Sequence, residues 1–505
     1  MLRPGAWGLR LRAQAERLAI HLSNRWWFVL SQALGYTFLS LLHLWQSLPE
    51  IEQGRVFPLG GDLKANPLAE IFQFLTLSYL FAIYALTLRH WSRLNLKARE
   101  LVWAGSLLGA LAWSALPTNS PDILMYVAYG RMAGVYGANP YLHSYAEITD
   151  SFSPYAWTNL PMPYGPVALP VLMAAGMLSQ LSLVGTAYVV KLVWLLVHGA
   201  NCWLLYRLLR VWKPKAALYG VFLFGFNPLV LLELPGNGHN DGLMTIFVLG
   251  AIYVLYQGRS SWAVLLALLA GLVKLPGLVL WGAILVYLVR LREWRGLSQG
   301  MLGSLMLLLA LKRMLFPTFK SALALTNPTP WSYNSLHYLL IRFTDQLSRL
   351  WYRPLGRPTI FALDRGVFAV LFLCFALWRL SRVRDLESLV REVAHVWLGL
   401  LIGYAAWFWP WYVTWLVPLA SLTESVSLLR AIIVYSFTVS ALYVFPVVGR
   451  TPLHWMSATL RIIFAHLVPL RFVLRPSHVG PNLTNEGNGY VGKAHSHEAS
   501  YPSRS

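Results

Sequence analysis

Apolar runs near the ~20 residues that cross a bilayer recur along the whole chain, at about 27 to 48, 71 to 88, 101 to 117, 167 to 206, 216 to 234, 243 to 256, 262 to 289, 300 to 316, 366 to 378, 393 to 423, 425 to 448 and 453 to 473. The pattern predicts an all-α polytopic membrane protein of about ten to thirteen transmembrane helices, with re-entrant pieces allowed. It lapses longest over residues 118–166 and 317–363, which are predicted to be two long loops carrying short interfacial helices. A loop of that length is either functional or disordered. The tyrosines of the first, Tyr126, Tyr129, Tyr141 and Tyr164 among them, argue against disorder. Two runs do not fit single spans. The run from 167 to 206 has room for two helices, of which one is expected to be incomplete or interfacial. The run from 262 to 289 carries Lys274-Leu275-Pro276-Gly277 in its middle, a charge followed by two helix breakers, which predicts two short helices meeting at a turn.

Charge gives these runs a direction. The chain is 57% hydrophobic and only 12% charged, against about a quarter charged for a soluble domain, so its net charge of +21 belongs to a membrane protein. Arg3, Arg10, Arg12, Arg17 and Arg25 precede the first run. Arg89, Arg93, Lys97 and Arg99 follow the second, and Arg207, Arg210, Lys213 and Lys215 a later one, with two further clusters at 290–295 and 379–391. Such clusters mark cytoplasmic loops. No basic stripe with interleaved aromatics lies outside the membrane, so nucleic acid is not an expected partner. Counting spans from a cytoplasmic N-terminus puts the 118–166 loop, the Gly236 to Asp241 turn and the 317–363 loop on the extracytoplasmic side. The first run is too long and too far from the start for a cleavable signal, and reads as an uncleaved anchor. Residues 1–25 form a basic cytoplasmic N-terminus, 26–475 the membrane domain, and 476–505, rich in Gly, Ser, Asn and His, a disordered tail. Cys202 and Cys374 lie in apolar runs without metal-ligand company, so neither a disulfide framework nor a zinc site is expected. No cofactor is expected either, and a divalent metal is not excluded.

Only 20 carboxylates are present. Asp122 follows Pro121 at a predicted helix start and shares a face with Tyr126 and Tyr129 at i, i+4 and i+7. It reads either as a helix cap or as a base that takes a proton from a hydroxyl held by the phenols. Asp241, with His239 and Asn240 in a Gly/Asn turn before a new span, is likewise a cap or a polar contact. Glu233 reads as a span-end carboxylate reaching the interface. Lys274, a cation inside an apolar run, is either a snorkelling lysine or a contact for an anionic group. Arg131 and Lys191 are weaker cases of the same kind. His337 is open between packing and function, while His454 and His466 read as structural. Trp407, Phe408, Trp409, Pro410, Trp411 and Tyr412 suit an interfacial aromatic belt.

The spacing of these residues resembles a known pattern. The stretch Asp122 to Tyr141, with Tyr126-x-x-Tyr129-Gly130-Arg131 and Gly137-x-Asn139-Pro140-Tyr141, and the later Tyr164-Gly165-Pro166, are similar to the first large outer loop of polyprenol-phosphate-mannose-dependent mannosyltransferases. Those are multispanning enzymes of the GT-C superfamily. Phe226-Asn227-Pro228 with Gly238-His239-Asn240-Asp241, Gly271-Leu272-Val273-Lys274-Leu275-Pro276, Asn334-Ser335-Leu336-His337-Tyr338 and Trp409-Pro410-Trp411-Tyr412 extend the likeness over about residues 110 to 420. The resemblance implies a GT-C type helical bundle in a bacterial plasma membrane. It implies inverting transfer of a mannosyl unit from a polyprenyl-phosphate sugar donor to a hydroxyl of a glycan or glycolipid acceptor at the extracytoplasmic face. It makes Asp122 the general base and Lys274, Arg131 and His239 the candidates for the donor phosphate. Tyr126, Tyr129, Asn139, Tyr141, Tyr164, Asn240, Asp241, Asn334, His337 and Trp411 are then the candidates for sugar and acceptor. Related enzymes carry paired acidic residues in this loop where this chain has a single Asp at the start, which weakens a metal-binding role there. Glucose or arabinose as the sugar, a lipid-linked sugar flippase, and a non-catalytic partner in envelope assembly are the alternatives. A transporter predicts paired broken helices in two related halves, and one Lys274-type break is visible.

Overall fold

The computed structural model describes residues 26–52, 67–153, 160–179, 183–318, 321, 332–350, 357–443 and 452–474. The basic N-terminus, the 476–505 tail and the Asn327 to Trp331 part of the second loop lie outside the described residues. Among the described residues, every regular element is helical, and strand-like pairing is limited to one parallel bridge between Tyr333 and Trp407. The main helices are α1 (Trp27–Glu52), α2 (Pro67–Arg89), α3 (Ala98–Ser114), α4 (Asp122–Gly134), α5 (Leu169–Leu178), α6 (Leu183–Trp212), α7 (Ala217–Gly225), α8 (Asp241–Tyr256), α9 (Ser260–Val273), α10 (Leu278–Arg290), α11 (Trp294–Met314), α12 (Leu336–Leu350), α13 (Arg357–Leu380), α14 (Leu386–Gly399), α15 (Leu416–Leu422), α16 (Val426–Thr438) and α17 (Pro452–Leu474). The chain is an all-α polytopic membrane protein. Among the described residues, four helical stretches are long and apolar enough to cross a bilayer on their own: Trp27–Leu48, Leu68–Arg89, Val184–Trp212 and Val426–Tyr443.

The hydropathy runs outnumber these because several are broken inside. After α7, Asn227 caps the next turn, accepting from the N–H of Leu229 at 3.0 Å and of Val230 at 3.3 Å. Pro228 at the first helical position pre-sets that turn, and the two pieces, Pro214–Gly225 and Pro228–Gly236, meet at 53°. The second piece ends in a π-helix, Leu232–Gly236, whose extra residue per turn is the kind of distortion that gathers at functional sites. The 167 to 206 run divides into the ten-residue α5, too short to cross, and the 30-residue α6. At Lys274 the chain leaves α9, makes one 3-10 turn over Leu275–Gly277 and starts α10. This is the two-helix arrangement the Lys-Leu-Pro-Gly sequence predicts.

The described part of the 118–166 loop is a folded unit with its own core. α4 and α5 pack backbone to backbone: a Cβ on Gly130 would stand 1.7 Å from the Leu172 carbonyl oxygen. Tyr126, Tyr129, Tyr141, Tyr145 and Phe152 fill the space between α4, α5 and the first turns of α6. The loop then returns to the Lys274 break. Gly165 donates its N–H to the Val273 carbonyl at 3.0 Å, and Val167 to Leu272 at 3.2 Å, satisfying two carbonyls that the end of α9 leaves open. In the 317–363 loop, α12 shows Leu340, Phe343 and Leu347 on one exposed face and packs the half-buried Leu336 and Leu339 against the bundle, as an interfacial helix does. The segment before it is sewn to the aromatic ribbon by Tyr333 N–H to Ala406 at 2.9 Å and Phe408 N–H to Tyr333 at 3.0 Å.

Candidate active site

Three breaks in the bundle meet at one place: the start of α4, the π-helix and turn from Glu233 to Asp241, and the Lys274 corner. Each contributes charge. Asp122 is the first residue of α4 and Asp241 the first of α8, so both carboxylates sit at the positive end of a helix dipole, which favours their ionised forms. Asp241 is fully buried. Its Oδ2 accepts from Lys274 Nζ at 2.7 Å and its Oδ1 from Trp415 Nε1 at 2.6 Å. The same ammonium lies 5.6 Å from the centre of the Tyr412 ring, within cation–π range.

His239 joins the two sides. Its ring stacks on Trp411 with centroids 3.8 Å apart and planes 19° from parallel. Nδ1 lies 3.7 Å from Asp122 Oδ2 and Nε2 lies 3.3 Å from Glu233 Oε2, and neither nitrogen closes a hydrogen bond. Asn240 faces Tyr126, whose hydroxyl donates to Oδ1 at 3.3 Å. Tyr126 in turn packs edge-on against Tyr164 at 4.8 Å. Several buried polar atoms here have no partner within the protein: the Tyr164 hydroxyl, Asn240 Nδ2, Asn237 Oδ1 and both His239 nitrogens. Buried polar groups are normally satisfied, and a ring of unsatisfied ones around a carboxylate suits a polyhydroxylated or anionic ligand.

Burial raises the Asp122 carboxyl above its usual range. His239, Lys274 and Ser120 pull it back down, and Asp241 adds to the rise. Its side chain keeps 13% exposure, enough to meet a ligand. Burial, then the charges of Asp122 and Asp241, push the Tyr126 phenol well above its ordinary value, so it remains a neutral O–H. Among the described residues, no three His, Cys, Asp or Glu side chains are grouped to hold a metal ion.

Residues 53–290 match the family model described as "Alpha-(1->6)-mannopyranosyltransferase, N-terminal domain", a stretch that includes Asp122, Glu233, His239, Asp241 and Lys274. Over that stretch the chain is similar to the alpha-(1->6)-mannopyranosyltransferases. It is 25% identical over 370 residues to alpha-(1->6)-mannopyranosyltransferase A of Mycobacterium tuberculosis, covering 67% of this chain and 66% of that protein. It is 28% identical over 203 residues to alpha-(1->6)-mannopyranosyltransferase B of Corynebacterium glutamicum, covering 36% and 33%. A probable alpha-(1->6)-mannopyranosyltransferase of Mycolicibacterium smegmatis is 26% identical over 324 residues, covering 57% and 54%. The chain thus spans just under two thirds of the first of these relatives and about a third and a half of the other two.

Of the residues singled out by the mannosyltransferase-like motifs, the structure gathers Asp122, Tyr126, Tyr164, His239, Asn240, Asp241, Lys274 and Trp411. It ties the others into the loops, although Tyr129 still faces Asp122. Arg131 lies nine residues along α4 from Asp122, about 13 Å at 1.5 Å per residue. Its guanidinium pairs with Asp150 at 2.8 Å, donates to Ser179 and covers the Phe152 ring at 4.8 Å, so it closes the loop core. Burial works against the Asp150 carboxyl, but bonds from Phe152 N–H, Tyr136, Tyr145 and Arg131 hold it below its usual range. Tyr129 donates its hydroxyl to the Leu160 carbonyl at 2.9 Å and Tyr141 to that of Tyr164 at 3.0 Å. Asn139 donates to the Leu315 carbonyl at 2.9 Å. His337 sits buried between Asp364 Oδ2 at 2.6 Å and the Gly403 carbonyl at 3.0 Å, and the carbonyl of Asn334 accepts from His466 Nε2 at 2.8 Å. These two anchor the 317–363 loop. Glu233, Tyr412 and Trp415 were not among the predicted site residues. The signal for Glu233 was present, since a carboxylate deep in an apolar run is a functional candidate by default.

Proposed function

We propose that this chain is an inverting mannosyltransferase that moves a mannosyl unit from a polyprenyl-phosphate donor to a hydroxyl of a glycan or glycolipid acceptor at the extracytoplasmic face of a bacterial plasma membrane. The observation that carries the reading is the meeting of a partly exposed carboxylate, Asp122, with a paired lysine, Lys274, at one polar site inside an apolar bundle. The names of its relatives support the sugar. In this reading Asp122 takes the proton from the acceptor hydroxyl as that oxygen bonds to the anomeric carbon from the face opposite the phosphate. The bond between the anomeric carbon and the phosphate oxygen breaks, and the phosphate leaves with both electrons. Lys274, tethered through Asp241, and His239 meet the charge that develops there, which is where fixed charges lower a barrier most. The unsatisfied groups of Tyr164, Asn240 and Asn237 orient sugar hydroxyls, and the Trp409, Trp411 and Tyr412 rings offer faces to the sugar and the prenyl chain.

The test is transfer of radiolabelled mannose from polyprenyl phosphate by the purified full-length protein in membranes or detergent. Asp122→Asn is expected to lower the turnover number by about 100-fold or more, in the range of a lost general base, with expression and thermal midpoint unchanged. Turnover near that of the unsubstituted protein would remove Asp122 as the base.

A further inference from the structure

We propose that Glu233 is the positioning residue for the base: its carboxylate holds the His239 ring in the imidazolium form, and that ring keeps Asp122 ionised and aimed at the acceptor. The inference rests on the reading of Asp122 as the base. Glu233 is fully buried in an otherwise apolar segment, where an uncompensated carboxylate is expensive. Each neighbouring polar group gives it a proton to accept. The Tyr443 hydroxyl donates to Oε1, and Asn237 Nδ2 donates to Oε2 at 3.0 Å. That donor set matches an ionised acceptor, not a protonated acid.

The third neighbour is His239 Nε2, 3.3 Å from Glu233 Oε2, and the opposite side of the same ring puts Nδ1 3.7 Å from Asp122 Oδ2. A neutral imidazole between two carboxylates presents a lone pair to one of them. An imidazolium presents N–H to both and cancels part of their repulsion. Trp411, flat against the ring at 3.8 Å, offers the aromatic face that favours a cation. The backbone enforces the same pairing, because His239 N–H donates to the Glu233 carbonyl at 3.0 Å. Gly238, at φ +78°, supplies the left-handed turn that brings the ring back over the π-helix.

The other groups facing these three are accounted for. Asp122 also faces Lys274 from the α9–α10 corner and Asp241 from the start of α8. Tyr126, Tyr129, Tyr164, Tyr412 and Tyr443 surround it as phenols. Lys191, whose stem would lie 3.2 Å from a Cβ on Gly238, turns its ammonium away to the Trp113 and Ala115 carbonyls.

Glu233→Gln keeps the shape and removes the charge; its one carbonyl oxygen can still accept from Tyr443, and its amide NH2 can donate to the unpartnered Asn237 Oδ1 once the Asn237 amide turns over. The readout is pH-difference infrared spectroscopy of the purified full-length protein, following the carboxylic-acid C=O band that disappears in Asp122→Asn. With Glu233→Gln the Asp122 midpoint is expected to rise by about one unit or more, the size of a lost opposite charge at this range. His239→Gln should do the same, and the double variant should add nothing further. In the transfer assay of Glu233→Gln the acid limb of the rate profile should move up by the same interval, with the donor KM unchanged, whereas His239→Gln, which also removes a group facing the phosphate, is read by the infrared midpoint. An Asp122 midpoint that stays put in folded Glu233→Gln, or a loss of transfer uniform across pH, overturns the proposal and leaves Glu233 a packing residue. Should Glu233→Gln not fold, His239→Gln decides, and an unmoved Asp122 midpoint there overturns it. The infrared measurement uses neither sugar donor nor acceptor, so a protein that transfers nothing defeats the proposed function and the base role of Asp122, while the infrared midpoint still decides whether Glu233 acts on Asp122 through His239.

Discussion

The Lys274 ammonium carries three protons and gives one of them to Asp241 at 2.7 Å. That bond changes what a substitution at Lys274 reports. Removing the lysine deletes a phosphate contact and also strands a fully buried carboxylate, and breaking a buried pair from one side costs about 3–5 kcal/mol. Lys274→Ala should therefore lower the thermal midpoint and raise the donor KM together. Lys274→Ala with Asp241→Asn should recover most of the stability and none of the donor affinity. Normal donor affinity in the double variant would show that the lysine serves only Asp241. Asp122 gives a second expectation at this scale. A base acts only when ionised, so transfer is present above its folded pKa and lost below it. Burial raises that pKa, so the acid limb should lie above the ordinary carboxylate value of ~4. A limb at or below that value would mean that the titrating group is not a buried carboxylate.

Helix ends build this site, and they differ in how visible they are in the sequence. The Lys274 corner is legible because proline and glycine announce a break wherever they fall in an apolar run. The start of α4 is legible because Pro121 and Asp122 follow a polar stretch. The π-helix is not, since Gly225, Asn227 and Pro228 mark only the bend ahead of it, and from Leu229 to Leu234 Glu233 alone is out of place. The fate of Arg131 was equally hidden, because its partner Asp150 lies 19 residues away across two turns. Least visible is the seam between Gly165 and the end of α9, a contact between residues more than a hundred positions apart that no local pattern encodes. Gly165→Ala tests that seam. Its Cβ would stand 1.9 Å from the Leu272 carbonyl oxygen and 2.8 Å from that of Val273, so one backbone must move. Overpacking of this kind costs about 1–3 kcal/mol. The seam sits beside Lys274, so transfer should fall more than stability does. Gly199→Ala, with no atom within 4 Å of the new Cβ, is the control expected to leave both unchanged. Equal behaviour of the two variants would mean that the loop does not position the Lys274 corner.

At the scale of the whole molecule, the arrangement of charge bears on which side of the membrane the site faces. The basic clusters, scattered in sequence, converge in space. Lys213 reaches Glu387 at 2.5 Å and the Leu422 carbonyl at 2.8 Å, and Arg290 reaches the carbonyls of Ser381 and Val383, both at 2.7 Å. Tyr256, at the end of α8, donates to the Val211 carbonyl beside them. Asp241, at the start of α8, belongs to the site. Sixteen residues of helix separate those ends by about 24 Å, close to the ~30 Å of a hydrocarbon core. The site and the basic clusters therefore lie at opposite ends of the bundle, and clustered basic loops mark the cytoplasmic end. In a background with Cys202 and Cys374 replaced by Ala, Glu147→Cys in the exposed first loop should react with a membrane-impermeant maleimide on intact cells. Arg295→Cys, exposed at the basic end, should react only after permeabilisation. The reverse pattern would turn Asp122 toward the cytoplasm. The base would then have to draw on lipid-linked sugar from the inner leaflet, and the proposed extracytoplasmic transfer would be excluded, even though every contact within the site would stand.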